Sequence, residues 1–289
     1  MTDFLQLTAA GLSQGSVYAL LAVGLIAVYS VRHIVNLAQG EFATLGGLGS
    51  VWLISVGIPV FTAILLAVFS VTVTAILIDR LIIARVKTMT TLTSIILTLG
   101  IATVMQALML LAWGPTARGL PPFPGADLVI GGVSFRAQEF WMIGSLIVVG
   151  VGIILFSEQT RLGKAMRAVA EQPVAARIVG ISPALASAVA FGIAGFTGAI
   201  AGVVSSPLYL SAWSVGLVLA LKGFVAAVLG GLSSYRAAIV GGLLLGVLES
   251  YVAGYIASGY RDAVAFLILI VVLVARPTGL VLRSNKARV

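Results

Sequence analysis

The chain of 289 residues has no cysteine and a single histidine, His33. Disulfides and thiolate metal sites are therefore excluded, and no multi-histidine metal centre can be assembled. Charge is equally scarce. Asp, Glu, Lys and Arg make up 9% of the residues, whereas a soluble domain carries about a quarter. That is too little to coat a globule in water. The phosphate-binding pattern GxxxxGK[ST] is missing, because Gly163-Lys164 runs on into Ala165 without the upstream glycine. The chain is not expected to bind ATP by that route, to hold a metal or cofactor, or to act as an enzyme.

What remains is apolar. Hydrophobic residues form 60% of the sequence and the mean hydropathy is +1.17. Nine apolar segments can be read, at about 11–31, 41–57, 59–79, 91–113, 140–157, 184–204, 215–233, 237–257 and 262–275. A crossing needs ~20 apolar residues. The pattern therefore predicts an all-α, polytopic transmembrane helical bundle of eight or nine spans, in one domain covering the whole chain. The last segment is short and the second is rich in glycine. Met1 to Thr8 lacks the basic start of a cleaved leader, so the first segment is expected to be a retained span.

The net charge of +8 sits in clusters. Arg80, Arg85 and Lys87 form one, Arg161, Lys164, Arg167 and Arg177 a second, and Arg276, Arg283, Lys286 and Arg288 a third. With nine crossings all three fall on one side. The positive-inside rule makes that side cytoplasmic, with the N-terminus outside and the C-terminus inside. This distribution sets orientation and gives no reason to expect nucleic acid as a partner. The segment from Gly114 to Gln138 then lies outside. Pro115, Pro121, Pro122 and Pro124 predict a rigid non-helical cap there, with a small hairpin from Val129 to Phe135.

Ser16 to Ser30 echoes Ser187 to Val203, and each is followed by an interrupted stretch and a Gly-rich span. In the nine-span topology the first runs inward and the second outward, as in an inverted repeat with broken helices. Gly192, Gly195, Gly198 and Gly202, and Gly241, Gly242 and Gly246, recur at helical spacing that lets backbones approach closely. Candidate pathway residues follow from polar groups at membrane depth. They are Asn36, Gln39, Gly40 and Glu41 at the first break, Pro207 at the second, and Glu249 as a lone carboxylate in segment eight. Asn36 to Glu41 is readable either as an interfacial turn or as a broken helix that lines a path. Glu249 is readable as a packed carboxyl or as a functional one. Lys222 is expected to snorkel to the surface. The loop from Arg161 to Pro183, within 158–183, is too long and basic for a minimal connection. A short helix is expected over Gly163–Glu171, with Pro173 starting another turn. The loop is readable as a lipid-headgroup contact or as a docking element.

Three motifs together resemble the branched-chain amino acid ABC transporter permeases of the LivH/LivM type: SVYALLAVGLIAVY followed by NLAQGEF, RLGKAMRAVAEQPVAARIVGI, and KGFVAAVLGGLSSYRAAIVGGLLLGVLE. They cover nearly the whole chain in order. Gln39 stands where that family usually carries histidine. The resemblance implies a permease subunit of an importer in a bacterial or archaeal inner membrane. Its implied partners are a second, similar permease, two cytoplasmic ATPase subunits that hold ATP and magnesium, and an extracytoplasmic solute-binding protein. It implies leucine, isoleucine or valine as cargo, with urea, short amides and aromatic acids as alternatives. It also implies that Arg161, Gly163, Lys164, Arg167, Ala168, Glu171, Arg177 and Gly180 belong to the ATPase-contacting segment. From the residues alone, a gradient-driven transporter using Glu41 or Glu249 and a non-transporting membrane scaffold stay open.

Overall fold

The computed structural model describes residues 2–86, 89–130, 133–232 and 234–275. In chain order its helices are α1 (Thr2–Arg32), α2 (Gln39–Ser55), α3 (Val60–Leu81), α4 (Thr91–Trp113), α5 (Ala137–Gln159), α6 (Arg161–Glu171), α7 (Pro173–Ile178), α8 (Pro183–Ser205), α9 (Gly216–Gly230), α10 (Tyr235–Tyr255) and α11 (Arg261–Ala275). Each of the nine apolar segments has become one helix, and α6 and α7 fill the basic loop. Among the described residues, six helices are long and apolar enough to cross a membrane alone. The other three, α2, α9 and α11, have 17, 15 and 15 residues. Helices of that length reach roughly 22–26 Å, short of the ~30 Å hydrocarbon layer. The tail from Arg276, and Lys87, lie outside the described residues.

The bundle has a core pair and a sheath. The apolar windows of α1 and α8 are 89% and 83% buried, while those of α3, α4 and α5 are 28% buried. Outward-facing Phe61, Leu65, Leu111 and Val148 are exposed. In lipid such faces carry no desolvation penalty, so they form a normal membrane surface.

The predicted inverted repeat is visible in how helices pair. Helices α1 and α8 run antiparallel, with Arg32 beside Ser187 and Gly24 beside Ala194 and Thr197. Helix α3 packs antiparallel on α8, where Gly195 sits against Val71, Thr72 and Ala75. In the other half α10 packs antiparallel on α1, where Gly11 and Gly15 meet Val247 and Leu243. A Cβ added at Gly15 would lie 2.8 Å from the Gly242 carbonyl oxygen. Small residues at this seam therefore let the two backbones touch, and dispersion between them replaces the missing hydrophobic drive.

The two ends of the bundle differ. Arg32, Asp79, α6 and α7 mark a basic end. The opposite end carries a hairpin of β1 (Leu128–Ile130) and β2 (Val133–Phe135), whose Ser134 exchanges hydrogen bonds with the Gln6 side chain. The Pro-rich segment before it is tied down. The backbones of Arg118 and Ser211 bond each other reciprocally at 2.9 and 2.7 Å, and the Trp141 indole donates to the Pro124 carbonyl at 2.9 Å. The cap expected from four prolines is thus latched over the segment that follows α8.

Candidate functional site: two half-helices that meet

Both breaks expected from the sequence carry the chain back into the bundle. Helix α1 ends at His33, an exposed residue with φ of 55°. The next residues return along α4, where the Thr98 hydroxyl accepts from the Leu37 amide at 3.3 Å and bonds the Val35 carbonyl at 3.2 Å. The Asn36 side-chain oxygen accepts from the Ala38 amide at 3.2 Å. These contacts satisfy backbone groups that lipid would leave orphaned. The second break runs from Ser206, through Pro207, back to Gly216.

The two returning chains start α2 and α9 against each other. The Gly40 α-carbon faces the carbonyl of Gly216 and lies so close to α9 that an added Cβ would be 2.6 Å from the Ala220 nitrogen. The Glu41 carboxylate fills the space that a side chain at Gly216 would occupy. This carboxyl, at the first turn of α2 and seated on the first turn of α9, lies at the positive ends of both helix dipoles. Its Oε1 accepts from the Gln106 amide of α4 at 2.7 Å. Gln39 donates to the Ala194 carbonyl of α8 at 3.0 Å. Asn36, Gln39 and Glu41 are all fully buried. They build the junction, and the adjacent cavity is lined by their neighbours Ala43 and Thr44.

That cavity, about 260 Å³, is walled by both halves of the chain: Gln14 and Tyr18 of α1, Thr44 of α2, Ser205 of α8, Ser214 in the second break, and Lys222 of α9. Lys222 does not snorkel. It is 5% exposed, because α9 packs between α1, α2, α10 and α11. Its ammonium group donates to Glu249 Oε2 at 3.1 Å and to the Tyr18 hydroxyl at 3.2 Å, and pairs with Asp262 at 2.7 Å. Glu249 is therefore not a lone carboxylate, since Tyr18 also donates to it at 2.7 Å. Tyr18→Phe is expected to destabilise the fold by ~2 kcal/mol, because it strips one partner from each of two buried charges. Exposed Tyr255→Phe should leave the thermal midpoint unchanged. Equal midpoints for both variants would show that the hydroxyl contributes nothing.

A second, half-buried ion pair escaped the sequence reading. At the basic end Arg32 pairs with fully buried Asp79 at 3.2 Å, and Ser187 bridges both, bonding Arg32 at 2.6 Å and Asp79 at 2.6 Å. It ties α1, α3 and α8 together. Gly11-Leu12-Ser13-Gln14-Gly15 has the letters of a GxSxG nucleophile elbow. It lies inside α1, where Ser13 only back-bonds the Ala10 carbonyl at 2.9 Å, and the required strand-to-helix turn is absent there.

The basic loop has the two expected helices. The Thr160 hydroxyl caps α6 by accepting from the Gly163 amide at 3.0 Å, and Pro173 opens α7. Gly163, Met166, Val169 and Ala176 face the chain's own bundle, with Gly163 tight against the backbone of Phe156 and Ser157. Arg161, Lys164, Arg167, Glu171, Arg177 and Gly180 are exposed, Ala168 is half-buried, and Val174, Ile178 and Val179 stand out at 71–81% exposure. Val169 and Ala176 thus turn inward, Ala165 and Ala168 lie half-buried, and the outward apolar surface belongs to α7 and Val179 just after it.

An inverted repeat, with two shorter helices meeting beside a cavity lined from both halves of the chain, defines a polytopic helical membrane protein. The chain matches the family described as branched-chain amino acid transport system / permease component over residues 7–273, and it belongs to that family. It is 31% identical to the high-affinity branched-chain amino acid transport system permease protein BraD of Pseudomonas aeruginosa, over 99% of this chain and 98% of the relative. It is 30% identical to the permease protein LivH of Escherichia coli strain K12, over the same shares. Among solved structures, a chain of PsaBC from Streptococcus pneumoniae in complex with Fab aligns with a TM-score of 0.54 at 12% identity, covering 93% of this chain and 91% of that one. That likeness concerns the fold alone.

Proposed function

We propose that the chain is one membrane subunit of an ABC importer for branched-chain or similar hydrophobic amino acids. The observation that carries this reading, beside family membership, is the cavity walled by both repeats next to the α2–α9 junction. Two repeats related by inversion can rock about such a site and open it to each side in turn, provided that cargo or nucleotide favours one arrangement over the other. The chain carries no nucleotide site of its own in this reading. Two cytoplasmic ATPases supply the energy, a second similar permease completes the membrane unit, and an extracytoplasmic binding protein delivers cargo. The basic end faces the cytoplasm of a bacterial or archaeal inner membrane, with the N-terminus outside, as the arginines of α6, α7 and the α3–α4 connection require. A gradient-driven mechanism through Glu249 has less support, since that carboxyl is already held by Lys222 and Tyr18.

The α7 surface is the ATPase contact in this account. Ile178→Asp puts a charge where an apolar side chain would be buried in a groove, and is expected to weaken association by ~2 kcal/mol or more. Copurification of the ATPase should fall while insertion of the chain is unchanged. Full copurification with wild-type coupling would return the loop to a lipid-contact role. The whole reading is tested by uptake of radiolabelled L-leucine into proteoliposomes that hold the assembled subunits. Accumulation should require ATP and binding protein together. Uptake that persists without ATP and follows an ion gradient would overturn it.

A further inference from the structure

The geometry points to Lys222 as the anchor for the carboxylate of an amino-acid cargo, with Asp262 as a built-in competitor that occupies the anchor when cargo is absent. This deepens the proposed function and rests on it. Lys222 lines the cavity, and its ammonium is held by three acceptors from this chain. Two of them, Tyr18 and Glu249, are buried and bonded to each other. The third, Asp262, differs. Its side chain is 59% exposed, it stands in the first turn of α11, and among the described residues its contact to Lys222 is its one ion pair. Arg261, next to Asp262, is a second cation beside this cluster, so the two carboxylates are balanced by two positive charges. The carboxylate of a zwitterion can take the place of Asp262 with the ammonium still paired, and Asp262, already 59% exposed, gives up little burial.

The rest of the cavity suits the other parts of such a molecule. Gln14 lines it, and its buried Oε1 has no hydrogen-bond partner, although its Nε2 donates to Tyr18 at 2.9 Å. An acceptor left unpaired in the interior is costly, and an α-ammonium group would satisfy it. Val17, Val218 and Leu219 supply an apolar wall for an aliphatic side chain. The volume of about 260 Å³ lies just under the ~300–1,000 Å³ of sites for drug-sized ligands, which fits one small solute. A cation and an unpaired acceptor beside one apolar wall form a complement to an α-amino acid. Neither a neutral amide nor an amine uses both poles.

The test is equilibrium binding of radiolabelled L-leucine to the assembled transporter in nanodiscs without binding protein, competed by leucinamide, which lacks the carboxylate. Leucinamide should compete at least ~10-fold more weakly than leucine, the loss of a charge-assisted hydrogen bond. Asp262→Asn removes the competitor at an exposed position and should tighten leucine binding by about 3- to 10-fold. Lys222→Met alone strands Glu249, so the double variant Lys222→Met, Glu249→Gln is used as well. It should elute as intact complex and bind leucine roughly 10- to 100-fold more weakly. Leucine affinity unchanged in the double variant, or weakened in Asp262→Asn, overturns the anchor while leaving the importer reading in place. A wild-type complex that binds leucinamide but no leucine, or neither, overturns the cargo reading and the anchor with it.

Discussion

Gly40→Val is expected to abolish the folded protein, with a penalty above ~3 kcal/mol, beyond the usual range for overpacking. The reason is where the new atoms would go. At Gly40 an added Cβ meets the backbone of α9 at Gly216 and Ala220, not the tip of a side chain that can swing aside. The half-helices would have to part, and with them the seat of Glu41 and its bond to Gln106. Gly100 and Gly152 serve as controls, since nothing lies within 4 Å of a Cβ at either. Gly→Ala at those helix positions should be neutral or stabilising by up to ~1 kcal/mol. Thermal unfolding in detergent and the yield of monodisperse protein report both effects. A Gly40→Val protein that melts with the wild type would mean that α2 and α9 do not meet as described.

The second large effect concerns the interior ion pair. Lys222→Met should destabilise the bundle by ~3–5 kcal/mol, because it leaves the Glu249 carboxylate buried without its cation. Adding Glu249→Gln should recover most of that loss, since replacing both charges with neutral groups of similar size is often close to neutral. The coupling between the two sites, read from the four proteins of a double-mutant cycle, should therefore be about 2 kcal/mol or more. Additive losses would show that the two charges do not sense each other.

These two effects mark the boundary of what the amino-acid pattern reveals. Helix positions are legible because apolar runs must span the membrane, and their edges carry local signals: Gly114 after α4, Thr160 before α6, and Pro173 at the start of α7. The breaks are legible too, since Asn36, Gln39 and Glu41 are polar groups that lipid would not tolerate. The pairing of Lys222 with Glu249 is not. The two residues sit on separate helices, and their meeting depends on the register of α9 against α10, which Gly241 sets by packing on Ala226 and Gly230. Read singly, Lys222 looks like a snorkelling cation and Glu249 like an isolated acid. Asp79 is hidden for the same reason, because nothing in its own segment announces Arg32 and Ser187. The inward face of α6 is missed because a helical stripe of small residues does not say which neighbour it covers. Here Gly163 lies against the end of α5.

The central claim is that the cavity between the two repeats is the transport path and opens to one side at a time. Thr44 and Ser214 line that cavity from opposite halves of the chain, and the sequence has no background cysteine. The most direct measurement is labelling of Thr44→Cys and Ser214→Cys by a membrane-impermeant thiol reagent, added to either face of vesicles that hold the assembled transporter, with and without trapped nucleotide. The account expects both cysteines to react from the hairpin side in one nucleotide state and from the basic side in the other. Reaction from the same side in every state, or protection of both cysteines throughout, would contradict it.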